Sequence, residues 1–340
     1  MRLPLVILIF LILGIVGYLA WETKKEDQIK TQSIESQAKE KPLDKYTFDA
    51  LSKTKFEPSE IELGEVIEDS ADFTSRLFYF YDSGKRVSGQ INIPAAKGPF
   101  PVIFMFRGYV DREVYTIGVG TQRAAEVFAK NGFVTISPDF LGYGQSDSSS
   151  SDVMEERFQT YTAAITLLRS VENVNKAFDK EGIEARADIN KFGIWGHSNG
   201  GQIAISTLEI TGESIPTVLW APVSKPFPYS VLYYTDEFDD RGKFLRGEIA
   251  KFEKDYDVDN YSIEKFFGRI GAPVQIYQGT LDDSVPQSWS DEFVTAMEEL
   301  NKDIKYVVFP GADHNLLPNG WNSAVVGAME FYREHFSVVE

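Results

Sequence analysis

Lys191-Phe192-Gly193-Ile194-Trp195-Gly196-His197-Ser198-Asn199-Gly200-Gly201 is the stretch on which the reading of this chain turns. Its first half, Lys191 to Trp195, is an apolar run that reads as a strand buried on both faces. Ser198 to Glu209 reads as a helix that follows at once. Between them stands G-x-S-x-G. A sharp turn at this point lifts a serine hydroxyl above the sheet, and neighbouring backbones come so close that glycine is required. With glycine near 7% of residues, about one chain in ten this long would show the pattern by chance. The strand–turn–helix setting separates it from a plain glycine turn.

Working outward, strands and helices alternate. Glu60 to Ile67, Thr74 to Tyr81 and Arg86 to Ile93 read as successive antiparallel strands, with Asp82-Ser83-Gly84 as turn chemistry between the second and third. Pro101 to Phe106 and Phe133 to Ser137 read as strands flanking a helix near Thr121 to Asn131. One long helix is expected near Val153 to Phe178. Thr217 to Trp220, Val274 to Tyr277 and Lys305 to Phe309 are further strands. Helices are expected near Ser288 to Leu300 and Asn322 to His335. The alternation predicts an α/β fold with a mostly parallel central sheet and helices on both faces.

The interval 224–271 fits this alternation poorly. It holds Pro226, Phe227, Pro228, Tyr229, Tyr233, Tyr234 and Phe238, then a charged helical stretch, Asp240 to Asp255. An insertion between late strands would sit over the strands' C-terminal ends as a small lid. Its aromatics suit an apolar substrate group, whereas Asp236, Glu237, Asp239 and Asp240 would suit a cationic one.

Candidate chemistry follows from the histidines, of which there are three. His197 adjoins Ser198 and points away from it on such a turn, so it packs structurally. His335 lies in the closing helix. His314 stands in a loop just after a strand, the expected place for a catalytic base. For the acid, Asp282 and Asp283 both follow the strand Val274 to Tyr277, and spacing alone leaves them as alternatives. A carboxylate there fixes the imidazole tautomer and stabilises the imidazolium formed during attack. Backbone N–H groups of Asn199 and of Tyr109, in the loop Arg107-Gly108-Tyr109, are the candidate oxyanion donors.

Bulk properties narrow the classes. A net charge of −17 opposes nucleic acid as a partner, because phosphate binding needs a basic surface. The absence of cysteine excludes disulfides, thiolate catalysis and cysteine metal sites. Three histidines make a His-rich metal centre an unfavourable reading, and no cofactor is called for.

At the other end, residues 3–21 run nineteen positions without a charge, enough to cross a hydrocarbon core of about 30 Å. Arg2 before them and acidic excess behind them place the N-terminus in the cytoplasm and the remainder outside. A cleaved signal peptide, and so a secreted protein, is the alternative. Tyr18 and Leu19 interrupt the small-residue cleavage pattern and favour an uncleaved anchor. Residues 22–45 carry six charges of each sign and no aromatic, the composition of a polar stalk. The domain division is therefore an anchor over 1–21, a stalk over 22–45 and a catalytic domain over 46–340.

The chain resembles the α/β-hydrolase superfamily, in particular the catalytic domain of prolyl oligopeptidase-type serine peptidases and dienelactone-hydrolase-like esterases. The resemblance runs from about Phe73 to His335. It is carried by Arg86-Val87-Ser88-Gly89, by Phe100-Pro101-Val102-Ile103 with Arg107-Gly108-Tyr109, and by Pro138-Asp139-Phe140-Leu141-Gly142-Tyr143-Gly144. Trp195 to Gly201, Gly279 to Pro286 and Asp313-His314 complete it. It implies a Ser198, Asp282, His314 triad, because the family's acid stands three residues after the glycine of the Gly279 run. It implies hydrolysis of an ester or peptide bond through an acyl-enzyme, with a small ester or short peptide as substrate. A catalytically silent surface-binding protein on the same fold is the alternative. Two departures stand out. The family often has histidine where this chain has Arg107, and the residues ahead of Phe73 are too few for the β-propeller of its large peptidases. Sequence is silent on oligomeric state.

Overall fold

The computed structural model describes residues 17–18, 20–25 and 41–337. The chain divides into two units, Met1–Pro42 and Leu43–Glu340. In the first, residues 17–18 and 20–25 are helical. The expected anchor lies almost wholly outside the described residues, as does most of the stalk; among the described residues no helix is long and apolar enough to cross a membrane. The second unit begins just ahead of the boundary read from composition. Leu43 is buried, and its carbonyl accepts the Tyr261 hydroxyl at 3.1 Å.

Nine strands form one sheet in the order β1-β2-β3-β5-β4-β6-β7-β8-β9. They are β1 (Glu62–Asp69), β2 (Phe73–Asp82), β3 (Lys85–Pro94), β4 (Phe100–Phe106), β5 (Val134–Pro138), β6 (Ala187–His197), β7 (Thr217–Trp220), β8 (Val274–Gly279) and β9 (Ile304–Phe309). The β1–β2, β2–β3 and β3–β5 pairs are antiparallel, and all the others are parallel. The β2–β3 hairpin closes with Asp82 opposite Lys85 around Ser83 and Gly84, both at positive φ. This is the two-residue turn whose twist matches the strands it joins.

Seven helices matter here: α1 (Gln122–Lys130), α2 (Val153–Arg169), α3 (Val174–Lys180), α4 (Asn199–Thr211), α5 (Lys243–Asp255), α6 (Gln287–Glu299) and α7 (Trp321–Ser337). They bury both faces of the sheet, and β4 shows why its run is continuously apolar. Ile103 and Met105 face the core built with Phe128 of α1 and Tyr332 of α7. Val102, Phe104 and Phe106 face the core built with Phe158 of α2 and Ile203 of α4. Full burial of one such side chain is worth about 1.5–3 kcal/mol, so a polar residue on either face would be costly.

Two expectations are corrected. The single helix read over 153–178 is two, α2 and α3, separated by a tight turn at Ser170–Asn173. Ser170 Oγ donates to the Thr166 carbonyl at 2.7 Å and accepts Ser59 N–H at 2.8 Å, while Asn173 Nδ2 donates to the Ser59 carbonyl at 2.8 Å. These bonds to a distant segment replace the helical ladder. The helix read from Asp240 starts instead at Lys243. The Asp240 carboxylate accepts Gly242 N–H at 2.8 Å and Phe244 N–H at 2.9 Å, so it caps that helix from outside.

Candidate active site

The three singled-out side chains follow three parallel strands at their C-terminal ends, where such sheets place ligands. Ser198 follows β6, Asp282 follows β8 and His314 follows β9.

Ser198 has φ +56° and ψ −121°, a backbone region that costs an L-residue about 1–3 kcal/mol. Its neighbours hold it there. Its N–H donates to the Trp220 carbonyl at 3.0 Å, and its carbonyl accepts Val223 N–H and Gly201 N–H, each at 2.9 Å. The motif's glycines are steric necessities. A Cβ on Gly200 would sit 1.9 Å from the Phe106 carbonyl oxygen, and one on Gly196 would sit 2.6 Å from that of Gly200.

His314 and Asp282 are hydrogen-bonded, with Nδ1 at 3.0 and 2.9 Å from the two carboxylate oxygens. The carboxylate also accepts Ser284 N–H at 3.0 Å, Val285 N–H at 2.7 Å and the Gln278 amide at 3.0 Å. Its side chain is fully inaccessible, whereas that of His314 keeps 16% of its surface. Acceptor partners at Nδ1 place the proton there and leave Nε2 as the free base. Asp283 stays exposed on the turn and accepts the Ser284 hydroxyl at 3.3 Å. Gly279 lets the two loops touch, since a Cβ would lie 2.3 Å from the Ala312 carbonyl oxygen. Asp313 stiffens the His314 loop by accepting Asn315 N–H and Leu317 N–H, each at 2.8 Å. Ser198 Oγ takes no part in these hydrogen bonds.

His197 is buried directly under His314, with ring centroids 4.6 Å apart. Its Nε2–H donates to the His314 carbonyl at 3.0 Å. Burial, then the neighbouring His314, lowers its pKa to about 4, so it is neutral near pH 7. Its structural packing follows the sequence reading; its contact with the other histidine was not legible there. His335 binds within its own helix, to the Phe331 carbonyl at 2.8 Å.

The Arg107-Gly108-Tyr109 loop lies against the serine. A Cβ on Gly108 would stand 3.0 Å from Ser198 Cβ and 3.5 Å from Oγ. Asn199 opens α4 directly after the serine. Arg107, only 6% exposed, ties the loop down. Its Nη1 donates to the Gly108 carbonyl at 2.9 Å and its Nη2 to that of Asp139 at 3.0 Å. Its guanidinium lies 4.1 Å from the Tyr143 ring centroid and 4.7 Å from that of Tyr115. The Tyr115 hydroxyl and the Ser88 hydroxyl each donate to the Asp139 carboxylate at 2.5 Å. Burial pushes that carboxyl up. The Tyr109 side chain is 65% exposed, and its hydroxyl donates to Asp111 at 2.8 Å.

A pocket of about 240 Å³ opens beside the serine turn. Tyr109 and Asn199 stand on its rim, Phe140, Leu141 and Met154 form apolar walls, and Val231 and Leu245 reach it from the 224–271 segment. Two acids of that segment are engaged elsewhere. Asp236 is exposed and pairs with Arg246, and Asp240 serves as the cap described above. Among the described residues no group of three or more acidic or histidine side chains could hold a metal ion.

Known proteins bear on the family and the fold. Residues 121–338 match the prolyl oligopeptidase family. The dipeptidyl peptidase family member 6 of Caenorhabditis elegans is 26% identical over 144 residues, which span 40% of this chain and 18% of that protein. Acetyl xylan esterase 1 from Thermoanaerobacterium sp. JW/SL YS485 superposes with a TM-score of 0.58 at 18% identity, over 86% of this chain and 93% of that one. A Mycobacterium tuberculosis puromycin-hydrolyzing peptidase superposes with a TM-score of 0.55 at 20% identity, over 78% of this chain and 40% of that one. The fold is that of the α/β-hydrolases, and with the family match covering well over half its length, the chain belongs to the prolyl oligopeptidase family.

Proposed function

We propose that this protein is a serine hydrolase that cleaves a small ester or short-peptide amide through an acyl-enzyme. Ser198 Oγ attacks the carbonyl carbon while His314 Nε2 takes its proton. Asp282 holds the ring by Nδ1 and stabilises the imidazolium. Asn199 N–H and Tyr109 N–H receive the developing oxyanion, a contribution of about 3 kcal/mol per donor. His314 returns the proton to the leaving group, and water, deprotonated by the same imidazole, releases the acid. The serine–histidine hydrogen bond is the one left to close as substrate binds, a common state of unliganded sites.

The observation that carries this reading is the hydrogen-bonded His314–Asp282 pair bridging the ends of β8 and β9, together with a serine held at positive φ at the end of β6 in the same sheet. The 224–271 segment acts as a lid, supported by its two side chains in the pocket wall. Residues 3–21 tether the domain outside the membrane, on the strength of their uncharged length.

Fluorophosphonate labelling tests the proposal. Wild type should label at one serine and Ser198→Ala should not. Labelling that persists in the variant, or wild type that never labels and hydrolyses no ester, refutes it.

A further inference from the structure

The pocket beside Ser198 differs in charge from the rest of the chain. Three charged residues line it: Arg107, Glu156 and Arg157. Glu156 is already paired with Arg112. Of the two arginines, Arg107 interacts with the nearby Asp139 carboxyl, whereas Arg157 forms no ion pair among the described residues, in a chain whose net charge is −17. Both are short of partners. Arg157 Nη2 donates to Gln202, yet its buried Nε–H has no acceptor. The Nε–H of the still more deeply buried Arg107 also has none. Buried donors left unpaired are costly, so each calls for an explanation in strain, in function or in a bound water or ion.

Arg157 is also fixed in place. Gln202 holds it and donates in turn to the Lys225 carbonyl at 3.0 Å and to Ser230 Oγ at 3.3 Å. The arginine is thereby linked both to α4, one turn beyond the serine, and to the start of the 224–271 segment. A positive group held at the opening of a helix, whose N-terminal end itself favours negative charge, is suited to an anion.

We infer that this pocket selects substrates bearing a carboxylate a few bonds from the scissile carbonyl, with Arg157 as the specificity-determining residue. The inference rests on the hydrolase reading above. Size sets the rest of the class. A cavity of about 150 Å³ takes a benzene ring, so this pocket of about 240 Å³ admits roughly ten non-hydrogen atoms. With Phe140, Leu141 and Met154 as walls, the group is a short aliphatic or aromatic chain ending in an acid.

Length-matched ester pairs test this in a pH-stat. Monoethyl glutarate against ethyl valerate carries the charge on the acyl side, and 4-acetoxybutyrate against butyl acetate carries it on the alcohol side. In wild type, kcat/KM should favour the charged member of at least one pair by roughly tenfold or more, the worth of one charge-assisted hydrogen bond. Arg157→Gln should bring that ratio close to one, and Arg157→Lys should keep much of it. A ratio cancels any general loss of fold or activity in the variants. Ratios near one for both pairs in wild type, or a ratio unchanged in Arg157→Gln, overturn the inference. If wild type labels with fluorophosphonate while the ratios are near one, the hydrolase reading stands and only the pocket assignment falls. If it neither labels nor hydrolyses, both fall.

Discussion

His197 should make the fold acid-sensitive in a window that can be worked out in advance. In the unfolded chain a histidine titrates near 6.5. Folded, His197 titrates at about 4, because burial and the His314 ring disfavour its cation. Between those values the unfolded chain binds a proton that the folded chain refuses. Stability is therefore complete above about pH 6.5, falls as pH drops, and levels off near 4. Between pH 7 and pH 4.5 the loss comes to about 2 kcal/mol for this one group. Glu209, Asp139 and Asp82 act in the opposite direction, since burial raises each of their pKa values. They are common to wild type and variant and cancel in a difference. His197→Gln retains an N–H for the His314 carbonyl but does not titrate. Urea unfolding of both proteins at pH 7 and pH 4.5 should show wild type losing about 2 kcal/mol more than the variant. Parallel losses in the two proteins would refute the reasoning.

Gln278→Leu removes the amide that donates to Asp282 at 3.0 Å and leaves the Ser290 hydroxyl without its acceptor at 2.8 Å. It should lower kcat on a simple ester about tenfold with KM little changed and cost about 1–3 kcal/mol in urea unfolding; an unaltered kcat would show that the acid is oriented without Gln278. Gly200→Ala puts a methyl 1.9 Å from the Phe106 carbonyl oxygen, where both partners are backbone and neither can turn aside. It should lose about 3 kcal/mol or more in urea unfolding, along with fluorophosphonate labelling, and wild-type behaviour in both would mean the turn is looser than its contacts imply.

Much of this was legible in the sequence because the signals are local. A buried strand running into glycines and then a helix is written in consecutive residues, and the Asp82-Ser83-Gly84 turn needs no distant partner. Ser198 and His314 could be singled out because each follows a strand, whereas only the family resemblance separated Asp282 from Asp283. Where distant segments decide, the sequence was mute. The break after Arg169 depends on Ser59, more than a hundred residues away. Gln278 reads as one more buried strand residue until β8 is seen to run beneath the Asp282 turn. His197 looks inert until the β9 loop is folded over it. The charge of the pocket was hidden for the same reason. Arg107, Arg157 and Asn199 come from three separate segments, while of the acids that stood out in sequence Asp236 forms an exposed ion pair, Asp240 caps a helix, and Glu237 and Asp239 are exposed.

Arg107 shows how a departure from a family pattern can be made good by its surroundings. An imidazole at this position would offer a single ring donor and carry charge only part of the time. A guanidinium is always charged and presents a planar fork. Here the two arms of the fork join the Gly108 carbonyl to that of Asp139, so the loop bearing the Tyr109 N–H is tied to the end of β5. The flat faces of the group are occupied by Tyr143 and Tyr115, and Tyr115 is itself anchored on the Asp139 carboxylate. The arrangement explains why an arginine is tolerated a single residue from a tight glycine contact with the serine: each arm of its fork has a carbonyl partner and both its faces are met by protein. Its charge acts on the nearby Asp139 carboxyl, drawing that group's pKa down against the larger upward push of burial. Arg107 thus serves the rigidity of the loop that bears the Tyr109 N–H, while the proposed preference for an anionic substrate rests on a different side chain, Arg157.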